Sequence, residues 1–179
     1  MKTETTELFR SEKVSRILFK LTPPVMLAQL IQALYNIVDS VFVGRYSDSG
    51  LTALSIIYPM QLLMIAFAVG AGVGMNTIMA ARFGVGQDGE AEEYAGVGTL
   101  LAGAMWLLFA TVCWLILPAY ARMSTNSETV IADIVQYGRI VCVFSFGLFF
   151  ESTWTKVLQA NGDMKTPMIA QILGAVTNI

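Results

Sequence analysis

The chain of 179 residues is 55% hydrophobic and 13% charged, about half the charged share of an average soluble domain, and its mean hydropathy of +0.63 marks a membrane protein. A net charge of -2 without a run of lysine or arginine speaks against a nucleic-acid partner held through its phosphates. The absence of histidine removes Ser-His-Asp and Cys-His catalysis, histidine-held zinc or haem and the HExxH pattern; an enzyme would have to manage with carboxylates such as Asp39 and Glu151 as acid and base, and the expectation is no enzyme and no resident cofactor or metal.

Residues 1–20 mix glutamates with basic residues, and the segment that follows holds Pro23, Pro24, Gln29 and Gln32, unlike the short, clean apolar run of a cleavable signal peptide. A bilayer core of about 30 Å needs about 20 helical residues. Four stretches meet that length, near 21–43, 51–79, 95–117 and 131–159. A fifth, 167–179, begins at Pro167 and is too short to cross, so a fragment ending inside a helix is expected. The connections RYSDSG, RFGVGQDGEAEEY, PAYARMSTNSET and NGDMKTP are short and rich in turn residues, which makes successive helices antiparallel neighbours in one bundle. The expected fold is an all-α integral membrane bundle over 21–179, preceded by a cytoplasmic segment over 1–20. Lys2, Arg10, Lys13, Arg16, Lys20, Arg82, Lys156 and Lys165 fall on one side of it, Arg45 and Arg122 on the other. The side richer in lysine and arginine is the cytoplasmic one, so the N-terminus is expected inside, in a multi-pass protein of the cell inner membrane.

In the first helix, Thr22, Gln29, Gln32, Asn36, Asp39 and Ser40 share an arc of roughly 100° at 100° per residue, while Leu27, Leu30, Ile31, Leu34, Val38 and Val41 cover most of the rest. The amides alone suit helix packing as well as a wet pathway. A carboxylate is costlier, at least ~2.5 to 3.5 kcal/mol in a membrane, and such groups usually line ion, proton or substrate routes. Asp39 therefore points to function, unless it sits at the membrane edge beside Gly44 and Arg45 and snorkels to water. Pro23 and Pro24 either start this helix or bend it.

In the second helix Gly70 and Gly74 have GxxxG spacing, which suits close packing or a flex point, and Ala95, Thr99 and Gly103 give the third a small face. In the third and fourth, Cys113 and Cys142 lack CxxC spacing and read as plain core or lipid-facing residues. Ser145, Ser152, Thr155 and Gln159 make a polar side of about 80° on the fourth helix. Glu151 either joins that side as a second carboxylate or pairs with Lys156 or a neighbouring helix. Arg139 reads as a helix-end snorkel or a partner for an acid.

Three stretches together resemble the multidrug and toxic compound extrusion (MATE) family, bacterial branch. Asn36 to Gly44, NIVDSVFVG, is similar to its first-helix pattern N-x-V-D-x-x-F-V-G. Arg82 to Gly86, RFGVG, is similar to R-x-x-G-x-G with both glycines one place early, and Gln159 to Met168 reads QANGDMKTPM against QAxGDxKTPM. The resemblance implies part of the N-terminal lobe of a twelve-helix antiporter that exports drugs and toxic organic compounds, often cationic, in exchange for H+ or Na+. The chain would need the further C-terminal helices to transport. Asp39 matches the family's cation-coupling carboxylate, with Asn36 and Asn178 beside it for Na+, and Pro24 matches a proline associated with helix bending. Gln32, Tyr35, Tyr58, Glu151 and Thr155 are the expected cavity residues, with methionines such as Met60 and Met64 as loose contacts. The rival readings are a lipid-linked oligosaccharide flippase of related fold, for which Arg139 is the one candidate pyrophosphate ligand, and a truncated membrane protein that does not transport.

Overall fold

A computed structural model describes residues 14–46 and 48–178. The side chains of Asp39 and Asn178 lie outside that description, so the assignments made to them do too. The described residues form six helices: α1 (Val14–Tyr46), α2 (Asp48–Gly84), α3 (Asp88–Ser124), α4 (Glu128–Phe144), α5 (Phe146–Ala160) and α6 (Lys165–Asn178). Four segments are long and apolar enough to cross a membrane: 22–42, 49–84, 88–124, and 128–160, the last made of α4 and α5 together. Helix ends carry the charges that suit the backbone dipole. Asp88, Glu90 and Glu128 stand in first turns, and Arg45, Arg82 and Arg122 in last turns.

The chain divides into two compact units: residues up to Asp39 with Gly72–Gly98 and Trp154 onward, and Ser40–Ala71 with Thr99–Thr153. In the first, both connections use one device. After α2, Gly86 adopts φ 79° and Gln87 N donates to Arg82 O at 3.0 Å; after α5, Gly162 adopts φ 81° and Asp163 N donates to Leu158 O at 2.9 Å. In each case the glycine amide also donates three residues back, to Phe83 O or Gln159 O, which closes a Schellman cap that only glycine enters without strain. The RFGVG and NGD stretches are therefore helix stops. Arg82 Nη1 then bridges Gln87 Oε1 (2.8 Å) and Glu90 Oε2 (3.2 Å) and ties the turn to the start of α3. Two further contacts pack the unit: Asn76 Nδ2 donates to Lys156 O at 2.7 Å, and the Met75 thioether occupies the space where Gly98 would otherwise carry a Cβ.

The second unit holds the apolar cores. Ala53, Ile57, Leu117, Ala121, Val130 and Ile134 form one cluster, Ala68, Ala102 and Phe149 another. α3 runs antiparallel to α4 and α5, as successive contacts show. Leu117 meets Gly138, where a Cβ would stand 2.6 Å from its Cδ2; Trp114 meets Arg139; Phe109 meets Phe149 at 5.9 Å between ring centres; Phe150 lies 3.6 Å from the Cβ position of Gly103. Across α2 and α3, Tyr120 Oη donates to Ile56 O at 2.7 Å, in the turn that Pro59 loosens by lacking an amide donor.

The fourth span, expected as one helix over 131–159, is broken at Ser145. Its hydroxyl donates back to Cys142 O at 2.7 Å, and the Trp106 indole donates to Val143 O at 3.1 Å. These groups satisfy carbonyls that a helix end would leave without partners in lipid. The ladder resumes with Phe149 N donating to Ser145 O. The GxxxG glycines also differ from expectation. Nothing lies within 4 Å of a Cβ built at Gly70 or Gly74, and the close approaches fall at Gly98 and Gly138, where a large side chain of the neighbouring helix points at the glycine.

Candidate functional site

The candidate site is built on α1. The helix passes through Pro23 and Pro24, which stand in its third turn and do not start it. Each proline removes one backbone donor, leaving the Phe19 and Lys20 carbonyls without their usual helical partners. Ala28 is the one side chain of α1 buried among the described residues, and Leu30, Leu34, Ile37 and Phe42 are all more than half exposed. Gln29, Gln32 and Asn36 are exposed on the polar face, and Pro24 and Tyr35 are half-buried. The described residues of the predicted stripe and the apolar residues beside them are exposed alike. Asn36 and Asp39 are three residues apart along α1, about one helical turn.

Pro24, Gln32, Tyr35, Asn36, Asp39, Thr155 and Asn178 all belong to the first unit, Tyr58 and Glu151 to the second. Tyr58 is 55% exposed and open to contact. Glu151 is exposed and Thr155 half-buried; both, like Tyr35 and Asn36, are engaged in interactions of their own. Lys156 Nζ donates to Gln159 Oε1 at 2.9 Å. Ser145 and Ser152 of the predicted polar side are buried, so that side is turned into protein. Met64, expected as a loose substrate contact, is only 2% exposed and belongs to a core cluster with Cys113 and Cys142; it is a core residue. Among the described residues no group of three or more His, Cys, Asp or Glu could hold a metal.

Arg139 does not sit at a helix end. Its guanidinium lies 4.7 Å from the centre of the Trp114 ring, within the range of a cation–π contact, and its buried Nε has no hydrogen-bond partner. The pairing links positions 25 residues apart, and nothing local in the sequence announces it.

Asp163 caps α6. Its Oδ1 accepts from Lys165 N (3.1 Å) and Thr166 N (3.0 Å), and its Oδ2 accepts from Thr166 Oγ1 (2.6 Å). The Thr166 hydroxyl first, then the Thr166 amide, hold the carboxyl below the usual carboxylate range. A depressed folded pKa stabilises above the unfolded value and loses that contribution as pH falls through the folded one. Asp163→Ala should therefore cost about 1 kcal/mol at neutral pH and little in strong acid. Amide hydrogen exchange checks this: Lys165 and Thr166 should exchange about fivefold faster in the variant near pH 7, and a variant matching the parent there would remove the cap's role.

The family described as MatE matches residues 24–179. Among known proteins the chain is similar to the "Probable multidrug resistance protein YoeA" of Bacillus subtilis, 24% identical over 157 residues, covering 87% of this chain and 34% of that one. It is also similar to the "FAD transporter" of Shewanella oneidensis, 23% identical over 173 residues, 94% of this chain and 37% of that one. Among solved structures, that of MATE in the straight conformation matches with a TM-score of 0.91 and 25% identity, over 98% of this chain and 39% of that chain. The chain thus spans 34–39% of the length of these relatives.

Proposed function

Because the chain belongs to the MatE family of multidrug and toxic compound extrusion proteins, we propose that it forms most of the N-terminal lobe of an antiporter that exports small organic compounds, often cationic, in exchange for H+ or Na+. The observation that carries this reading is the place of Asp39 within the apolar span 22–42, three residues after Asn36 in a helix whose spacing also aligns Gln29 and Gln32.

Asp39 is the coupling carboxylate. Desolvation disfavours its charged form, so it takes a proton from the outer side, or keeps its charge by holding Na+ with the amide oxygens of Asn36 and Asn178. Either event neutralises a charge whose burial sets the balance between two arrangements of the lobe, and the ion shifts that balance by its differential affinity for the two. Moving one charge inward is worth about 2.3 kcal/mol per 100 mV, enough to bias the equilibrium more than tenfold. Pro24 lies in the part of α1 where two backbone donors are missing and bending is cheapest. Within the first unit Gln32, Tyr35 and Thr155, and separately within the second Tyr58 and Glu151, supply adaptable contacts to substrate. The N-terminus is cytoplasmic, in the cell inner membrane, and the chemistry is transport without bond-making.

The test is uptake of a cationic dye by liposomes holding the chain completed with the further helices its relatives have, driven by an imposed gradient of H+ or of Na+ alone. Dye movement should follow one of the two gradients. Movement that follows neither would overturn the coupling.

A further inference from the structure

Three sulfur-bearing side chains pack into one buried cluster of the second unit, at a place the transport reading does not use. Cys113 of α3 and Cys142 of α4 are free thiols, 5% and 1% exposed, and share one buried cluster with Met64 of α2, 2% exposed. The side chains packed around the cluster are those of Met60, Phe109, Val141 and Leu148. Three helices thus bring sulfur-bearing side chains into one apolar cluster.

Such a set discriminates sharply between cations. Na+, Mg2+ and Ca2+ take oxygen ligands, whereas soft d10 ions take thiolate and thioether. Charge sorts them further. An isolated thiolate or an isolated ion is costly in an apolar seam, but a divalent ion held by two thiolates adds no net charge, so the bound unit avoids most of that cost.

We propose that Cys113 and Cys142, with the Met64 thioether as third ligand, form a binding site for a soft divalent cation of the Hg2+ type. Two sulfur–mercury bonds form as two mercury–chloride bonds break: each thiol gives its proton to water, two chloride ions leave with the two protons, and no electron is transferred. The ion ties α3 to α4 and, through Met64, to α2.

The chain has two cysteines in all, so every thiolate–mercury signal comes from this pair. The unaltered chain, reduced and freed of reductant in detergent micelles, is titrated with HgCl2 while ultraviolet charge-transfer absorption and proton release are followed. Saturation at one ion with two protons is expected. Cys113→Ala and Cys142→Ala should each weaken binding about a hundredfold or more, because the remaining thiol loses the advantage of a second, intramolecular bond. Met64→Leu, nearly equal in volume, should weaken it about tenfold. Two ions per chain with one proton each, no uptake, or a Cys113–Cys142 disulfide in the reduced chain would overturn the site. So would single-cysteine variants that bind as tightly as the parent, or an unchanged affinity in Met64→Leu. The proton count needs no variant, and so decides the matter even where a substitution fails to fold.

Discussion

Asp39→Asn should abolish gradient-driven efflux in a transporter completed with the further helices, while substrate still binds. Asparagine keeps the size and hydrogen bonding of the acid but is fixed in the neutral state, so nothing on the cytoplasmic side can be released to reset the cycle. Gln29→Ala, on the same face of α1, removes one exposed amide and should cost only ~0.6 to 2 kcal/mol, leaving coupled efflux within about thirtyfold of the parent. A role in packing alone predicts the reverse order, with asparagine a tolerable replacement at position 39 and truncation of the glutamine the more harmful change. Efflux at matched expression in both variants separates the two, and near-normal coupled efflux by Asp39→Asn would remove the carboxylate from the mechanism.

Expressed alone, the chain should move no dye at all. It spans 34–39% of the length of its relatives, and among the described side chains of α1 only Ala28 is buried, so a cavity built on that helix takes its other wall from the further helices those relatives have. Purified chain in liposomes, loaded with dye and given either ion gradient, is the measurement. Robust transport would sink this expectation and would mean that copies of the chain supply the missing wall to one another.

Much of the architecture was written in the order of apolar runs. Each of the four crossings is an apolar segment bounded by charged or turn residues, and bilayer thickness leaves a run of that length little choice but helix. The stripe on α1 was equally legible, because 3.6-residue periodicity places Gln29, Gln32 and Asn36 together whatever surrounds them. What the pattern hid depended on neighbours. Ser145 reads as one more member of a polar side, yet its own hydroxyl on Cys142 O and the indole of Trp106, 39 residues earlier, on Val143 O let the helix break there without stranding those carbonyls. Met64 was placed at a cavity by its chemistry, yet its burial is decided by Cys113 and Cys142 from two other helices. Gly70 and Gly74 carried a packing motif whose partner is not among the described residues, while Gly98 and Gly138, with no motif around them, meet Met75 and Leu117.

The length of α2 and α3 bears on the membrane itself. Each is a helix of 37 residues, about 55 Å long at 1.5 Å per residue, against a hydrocarbon layer of about 30 Å in an average bilayer. Even with tilt, several turns of each stand among headgroups or in water, where Asp88, Glu90, Glu92 and Glu93 of α3 are at home. A lipid of longer or shorter chain would therefore find helix still available at the boundary, and the apolar belt can slide along the rods without bending them. Thickness mismatch then falls on the one crossing that is not a single rod, the fourth, where the joint at Ser145 lets two shorter pieces change their tilt separately.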